Sequence, residues 1–210
     1  MCAEYKSVKL VPKVVDLAGI SRVLNGLPEP GSHVFKDRDI AIVVDAAIGD
    51  QPRERVLGPA RWGLIPSWMK IPPKFSTFNA KVETASKLPT WRDAVKKRRC
   101  LLPLDAYYEW TGEKGHKVKH EIRSPDGEPL FVAGLYSWWR EPESDLWKMT
   151  ATMMTRSPVP ELAHIHDRTP MALPDNWWDE WLDPDVVGDQ GFLNAASEAS
   201  VEVAATLVVD

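Results

Sequence analysis

The chain has 210 residues, 44% of them hydrophobic, and a formal net charge of −4, enough for one sizeable core and one domain. Two cysteines, Cys2 and Cys100, are too few for a disulfide framework and fit a reducing compartment. No apolar run approaches the roughly 18 residues that span a membrane, and the N-terminus lacks the apolar core of a signal peptide, so a soluble, cytoplasmic protein is expected.

Residues 13–25 carry apolar side chains at helical spacing and end at Asn25-Gly26, a C-cap signal. Residues 40–48 are β-branched and apolar, a buried strand, and 55–64 read as a second strand broken at Gly58-Pro59. The proline-rich stretch 66–74 cannot be regular structure and contains Trp68, Lys70 and Lys74. Residues 90–99 read as a helix capped by Thr90, with basic residues gathered at the C-terminal end, where cations are favoured. A strand over 100–111 leads through a hairpin at 112–115 to strands at 117–123, 129–139 and 146–155, with a turn at 124–127. Helices are expected at 175–183 and 193–200. Many strands with scattered helices and no internal repeat predict a single α+β domain over residues 1–210, built on an antiparallel sheet or barrel.

The charge is unevenly placed. Residues 175–210 hold nine acidic residues and no Lys or Arg, so residues 1–174 hold 26 basic against 21 acidic residues. An acidic C-terminal segment masks a mildly basic body; it reads as either a solvated helical face or a partner surface. Ten tryptophans exceed what a core of this size ordinarily uses, and surplus indole suits base stacking.

Removal of Met1 would place an α-amine and a thiol on neighbouring carbons at Cys2. Such a pair condenses with an aldehyde and closes a five-membered thiazolidine. Ordinary pKa values of about 8 for the amine and about 8.5 for the thiol keep both nucleophilic forms partly populated near neutral pH. Taken alone, Cys2 is equally readable as a chance residue on a frayed terminus.

A cysteine nucleophile also needs a base and an orienting group. His116 and His120 flank a hairpin among lysines and read as exposed. His166-Asp167-Arg168 is a dense polar cluster, readable as functional or as a local salt bridge in a turn. Strand alternation puts Tyr107, Glu109 and Thr111 on one face and Tyr108 and Trp110 on the other. A carboxylate among aromatics titrates high and can act as a general acid; an exposed edge position is the other reading. Asn79 could hold a carbonyl, a hydroxyl or the terminal amine, or cap a helix beginning at Ala80. No glycine-rich phosphate loop occurs, and the two cysteines form no metal motif, so neither metal nor cofactor is expected.

Cys2 directly after Met1, WGLIPSW at 62–68, NAKVET at 79–84, YEW at 108–110 and HDRTP at 166–170 occur in an order and spacing that resemble the SOS-response-associated peptidase (SRAP) family. Its members sense abasic sites in single-stranded DNA and crosslink to them. The resemblance implies an α+β domain around a β-barrel-like core, acting as a monomer in DNA repair, with a basic channel for a single strand or a single/double-strand junction. Cys2 would be the nucleophile exposed by loss of Met1, through thiol autopeptidase activity or a separate aminopeptidase. Asn79 would position the terminus and sugar, Glu109 would shuttle protons and His166 would assist at the sugar. Trp68 would stack beside the lesion, with Lys70, Lys74, Lys81, Thr155 and Arg168 completing the DNA-binding set; Lys81 stands where an arginine facing phosphate is usual. The chain departs from the family pattern at Ala3-Glu4, where Gly-Arg is usual, and Glu4 would repel phosphate. Two other readings are a thiol peptidase acting on peptides and a non-catalytic single-strand-binding module.

Overall fold

The computed structural model describes residues 2–47, 52–113 and 115–210. Its strands are β1 (Glu4–Ser7), β2 (Arg22–Val23), β3 (His33–Phe35), β4 (Asp39–Ala46), β5 (Glu54–Trp62), β6 (Asn79–Lys81), β7 (Arg99–Thr111), β8 (Val118–Arg123), β9 (Leu130–Arg140), β10 (Trp147–Arg156), β11 (Thr169–Pro170) and β12 (Val208–Val209). The α-helices are α1 (Val11–Ala18), α2 (Arg92–Lys97), α3 (Trp178–Leu182) and α4 (Gln190–Thr206).

Five strands close on themselves. β4 pairs with β5, β5 with β10, β10 with β9, β9 with β7, and β7 returns to β4 at Val43–Leu101. The expected α+β fold with a barrel-like core and flanking helices is therefore present. Four of these junctions are antiparallel and the β5–β10 junction is parallel. On β4, Ile40, Ile42 and Val44 enter one hydrophobic cluster while Ala41 and Val43 enter another. Both faces are covered, which is why the strand reads as a continuous apolar run rather than an alternation. Each such fully buried Leu, Ile or Val contributes roughly 1.5–3 kcal/mol.

Several boundaries differ from the sequence expectations. α1 ends at Ala18 because Gly19 takes a left-handed conformation at φ 61°; residues after it run beside β5 as β2. Asn25-Gly26 is therefore no helix cap. β5 continues through Gly58-Pro59: Pro59 sits opposite Ala41, between the β2 contacts at Val56–Leu57 and the β10 contacts at Arg61–Trp62. The missing proline N–H falls where those flanking ladders leave a gap. Thr90 does not cap α2, which starts at Arg92 without a side-chain cap. The last helix is longer than expected, spanning 17 residues and capped by Asp189, whose side chain accepts from the Phe192 N–H at 2.8 Å.

The acidic segment is not a loose tail. Arg99, buried at the start of β7, donates to the carbonyls of Trp181, Asp183 and Val186, and burial lowers its guanidinium to about 10. That side chain turns away from the other basic residues at the end of 90–99 and fastens α3 to the barrel. Arg53 and Arg55 bind Asp185 and Asp179, and Arg123 binds Asp210 beside β12. Among the described residues no helix is long and apolar enough to cross a membrane.

Candidate active site around Cys2

Cys2 is 1% exposed and packs in the cluster that fills the barrel. It leads directly into β1, which is held between β3 and β7. The sheet thus fixes the start of the chain that a frayed terminus would leave loose. The Cys2 Sγ–H donates to the Glu4 carbonyl at 3.4 Å. Burial, followed by the negative charge of Glu109, pushes the thiol far above its ordinary range. Met1, whose removal the chemistry requires, lies outside the described residues.

Asn79 starts β6, not a helix, and is held by parallel pairing with Met153 of β10. Its Nδ2 donates to the Cys2 carbonyl at 2.7 Å. Its Oδ1 is buried and has no hydrogen-bond partner among the described residues. The carboxamide therefore grips the Cys2 backbone with one end and leaves an acceptor at the other.

Glu109 comes from β7, two residues beyond Tyr107, which lies opposite Tyr5 of β1. It is 4% exposed, and burial raises its carboxyl to about 7. Tyr107, Glu109, His166, Arg168 and Thr169 line one small pocket. Tyr107 and Thr169 join their hydroxyls at 2.9 Å. His166 Nδ1 lies 2.9 Å from the Arg168 N–H and 2.7 Å from Asp167 Oδ1. One nitrogen cannot accept from the first while donating to the second. Burial holds this imidazole below its ordinary value, which favours the neutral ring accepting from Arg168. A half-protonated carboxyl, a neutral imidazole and a thiol in one site can exchange protons near neutral pH.

The fold brings Cys2, Asn79, Glu109 and His166 together. Thr155 is 1% exposed with its hydroxyl on the Ala80 carbonyl, and Arg168, which lines the pocket, spans Glu83 at 2.8 and 2.9 Å and the Thr155 carbonyl at 2.6 Å. Burial opposes ionisation of Glu83, but the Arg168 guanidinium wins and holds the carboxyl below its ordinary value. Lys81 is exposed on β6, opposite Thr155. Lys74 joins Lys36, Arg61, Thr77 and Phe78 around a cleft of about 260 Å³. Lys36 also donates its N–H to the Ala3 carbonyl, which ties this cleft to the Cys2 strand. Trp68 and Lys70 are exposed on the proline-rich loop, which Trp139 anchors through the Met69 carbonyl at 2.7 Å. Trp68 faces a separate depression with Pro89, Thr90 and Arg98, not the Cys2 pocket.

Glu4 behaves differently from the expectation. It is 4% exposed, and its carboxylate is held by His33 at 2.6 Å and Lys119 at 2.5 Å. Lys119 lies 3.9 Å from the Tyr108 ring centroid. The charge is compensated inside the fold and presents no repulsive surface. Tyr107 was not among the expected site residues, although its alternation with Glu109 was the signal that could have found it; the Glu4–His33–Lys119 group had no such signal, because only folding brings these three strands together.

The family described as SOS response associated peptidase (SRAP) matches the chain over residues 1–209. The abasic site processing protein YoqW of Bacillus subtilis is 30% identical over 187 residues, covering 88% of this chain and 81% of that protein. The abasic site processing protein YedK of Escherichia coli is 30% identical, covering 67% and 61%; the HMCES protein of Xenopus tropicalis, also described as abasic site processing, is 29% identical, covering 62% and 46%. A crystal structure of a Bordetella bronchiseptica protein superposes with a TM-score of 0.80 at 25% identity, covering 99% of this chain and 98% of that one. The chain belongs to the SOS response associated peptidase family.

Proposed function

We propose that this chain recognises abasic sites in single-stranded DNA and captures the opened sugar covalently through Cys2, as part of DNA repair. Hydrolysis of the Met1–Cys2 peptide bond, by the chain itself or by an aminopeptidase, consumes one water and frees the Cys2 amine. The abasic sugar opens from hemiacetal to aldehyde. The amine adds to that aldehyde and expels one water as the imine forms, and the Cys2 sulfur then adds to the imine carbon. The nitrogen keeps one of its amine hydrogens, and the thiol proton replaces the one spent on the departing hydroxyl, giving the thiazolidine with no oxidant required.

The observation that carries this reading is the convergence of Asn79 on the Cys2 backbone and of the Glu109 charge on the Cys2 thiol. Glu109, near half protonation at neutral pH, gives a proton to the departing hydroxyl and later accepts one from the thiol. Asn79 positions the terminus, and its second end is available for a sugar hydroxyl. His166, which lines the same pocket as Glu109, assists at the sugar. The strand would track across Lys74 and Lys81, and Trp68 and Lys70 would contact bases and phosphates beyond the lesion. The names of the relatives point to the same substrate class.

Denaturing electrophoresis tests the reading. An oligonucleotide with one aldehydic abasic site should give a protein–DNA band that survives heating in detergent. The same band with a tetrahydrofuran analogue, which has no aldehyde, would contradict it.

A further inference from the structure

Cys2 is fixed through β1, and Asn79 and Glu109 lie on β6 and β7. His166 differs: it lies outside any helix or strand, between the 3-10 turn at Pro160–Leu162 and β11. β11 pairs with β10 and, among the described residues, shares no ladder with β7. No backbone register therefore sets the distance from Glu109 to His166. Leu162 and Ile165 pack the segment onto the barrel cluster, but apolar contact is non-directional. Tyr107 and Thr169 supply a directional tie: they are 3% and 2% exposed, and their hydroxyls lie 2.9 Å apart. Tyr107 shares a face of β7 with Glu109, two residues on. Thr169 directly follows Arg168, whose N–H lies 2.9 Å from His166 Nδ1. All four of Tyr107, Glu109, His166 and Thr169 line one pocket. Burial keeps the Tyr107 phenol protonated, with the charges of Cys2 and Glu109 acting in the same sense. It is thus a hydrogen-bonding group at neutral pH and not a competing base.

We propose that the Tyr107–Thr169 hydroxyl pair sets the separation of Glu109 and His166 in the Cys2 pocket, so that both are positioning residues for capture of the sugar. The connection runs from β7 through the Tyr107 hydroxyl to Thr169, along the chain to the Arg168 N–H, and from there to the His166 ring. Each link is a covalent or a hydrogen bond, so loss of the pair frees the imidazole to move relative to the carboxyl. The pair itself takes no part in bond formation. The inference rests on the proposed Cys2 chemistry and adds two residues to it.

The test is a double-mutant cycle on the full chain, read as the single-turnover rate of crosslinking to an oligonucleotide with one aldehydic abasic site. Melting temperature and anisotropy on an undamaged oligonucleotide are measured beside it. Tyr107→Phe and Thr169→Val should each slow crosslinking about tenfold, with strand affinity within about twofold. The double variant should be no slower than either single one, because all three break the same link. Thr169→Ser keeps the hydroxyl and should keep the rate. Each of the two single losses strands a buried hydroxyl and should lower the melting temperature, whereas the double variant removes both partners and should recover most of the drop. Slow crosslinking at a restored melting temperature is therefore the expected result. A rate that recovers together with stability would overturn the assignment, as would losses that multiply in the double variant or a slow Thr169→Ser. Single variants that crosslink at the wild-type rate would overturn the pair alone. A wild-type chain that never crosslinks would overturn the Cys2 chemistry and the role of the pair with it.

Discussion

Asn79 and Cys2, 77 positions apart in the chain, are joined by a 2.7 Å hydrogen bond from the Asn79 carboxamide to the Cys2 carbonyl. A strand in the middle of the sequence thereby sets the direction of its beginning. Asn79→Ala leaves that buried carbonyl without its donor, which costs about 1–3 kcal/mol. The terminus then samples orientations that miss the aldehyde. Crosslinking by this variant should slow by about tenfold to a hundredfold, while binding to undamaged strands stays within twofold. Stopped-time denaturing gels and anisotropy separate the two; equal losses in both would show that Asn79 serves DNA binding instead.

Glu109 gives a pH signature. Its folded value of about 7 lies above the 4.5 expected of an exposed Glu. Between these values the folded chain holds a proton that the unfolded chain has released. Stability therefore falls as pH rises from about 4.5 to about 7 and stays lower above that. Glu109→Gln removes the burial penalty of the charge, so the variant should exceed wild type by on the order of 2 kcal/mol at pH 8 and match it near pH 4. Urea melts at both values check this. The same variant should crosslink more slowly with strand affinity retained; a variant less stable than wild type at pH 8 would mean that the carboxylate is held by stabilising bonds instead.

Trp68 is 59% exposed, with Ile71 and Phe75 also exposed on the same loop. Such side chains contribute little to a core and much to a stacking surface. Trp68→Ala should leave the melting temperature unchanged and weaken single-strand binding by about 1–3 kcal/mol. Anisotropy with undamaged oligonucleotides measures this; unchanged affinity would remove Trp68 from the interface.

Cys2→Ala should abolish the crosslink. Because Cys2 is buried in the barrel cluster, the variant also loses packing, at about 1 kcal/mol. Thermal melting should show a modest drop with a cooperative transition retained. A heat-stable adduct formed by this variant would exclude the thiazolidine, once a lysine Schiff base had been ruled out by borohydride trapping.

The local parts of this molecule were legible in its sequence, and the long-range ones were not. The apolar run of β4 and the alternation that pairs Tyr107 with Glu109 follow from periodicity. The proline-rich loop around Trp68 follows from the fixed geometry and missing N–H of proline. Asn79 was ambiguous because its neighbours suit a helix start as well as a strand; pairing with Met153 decides it. That Thr155 and Arg168 are also tied to Ala80, Glu83 and each other was not readable from sequence. Glu4 looked repulsive until His33 and Lys119, from two other strands, closed on it. In each case the deciding partner lies far away in sequence, where neither spacing nor propensity reaches.

The central claim is a bond between Cys2 and an abasic sugar, and intact mass spectrometry tests it directly. The purified chain is mixed with a single-stranded oligonucleotide carrying one abasic site, heated and weighed. The account predicts loss of the Met1 residue and a species equal to the sum of processed chain and oligonucleotide less one water. Loss of Met1 with only free chain and free oligonucleotide would contradict it.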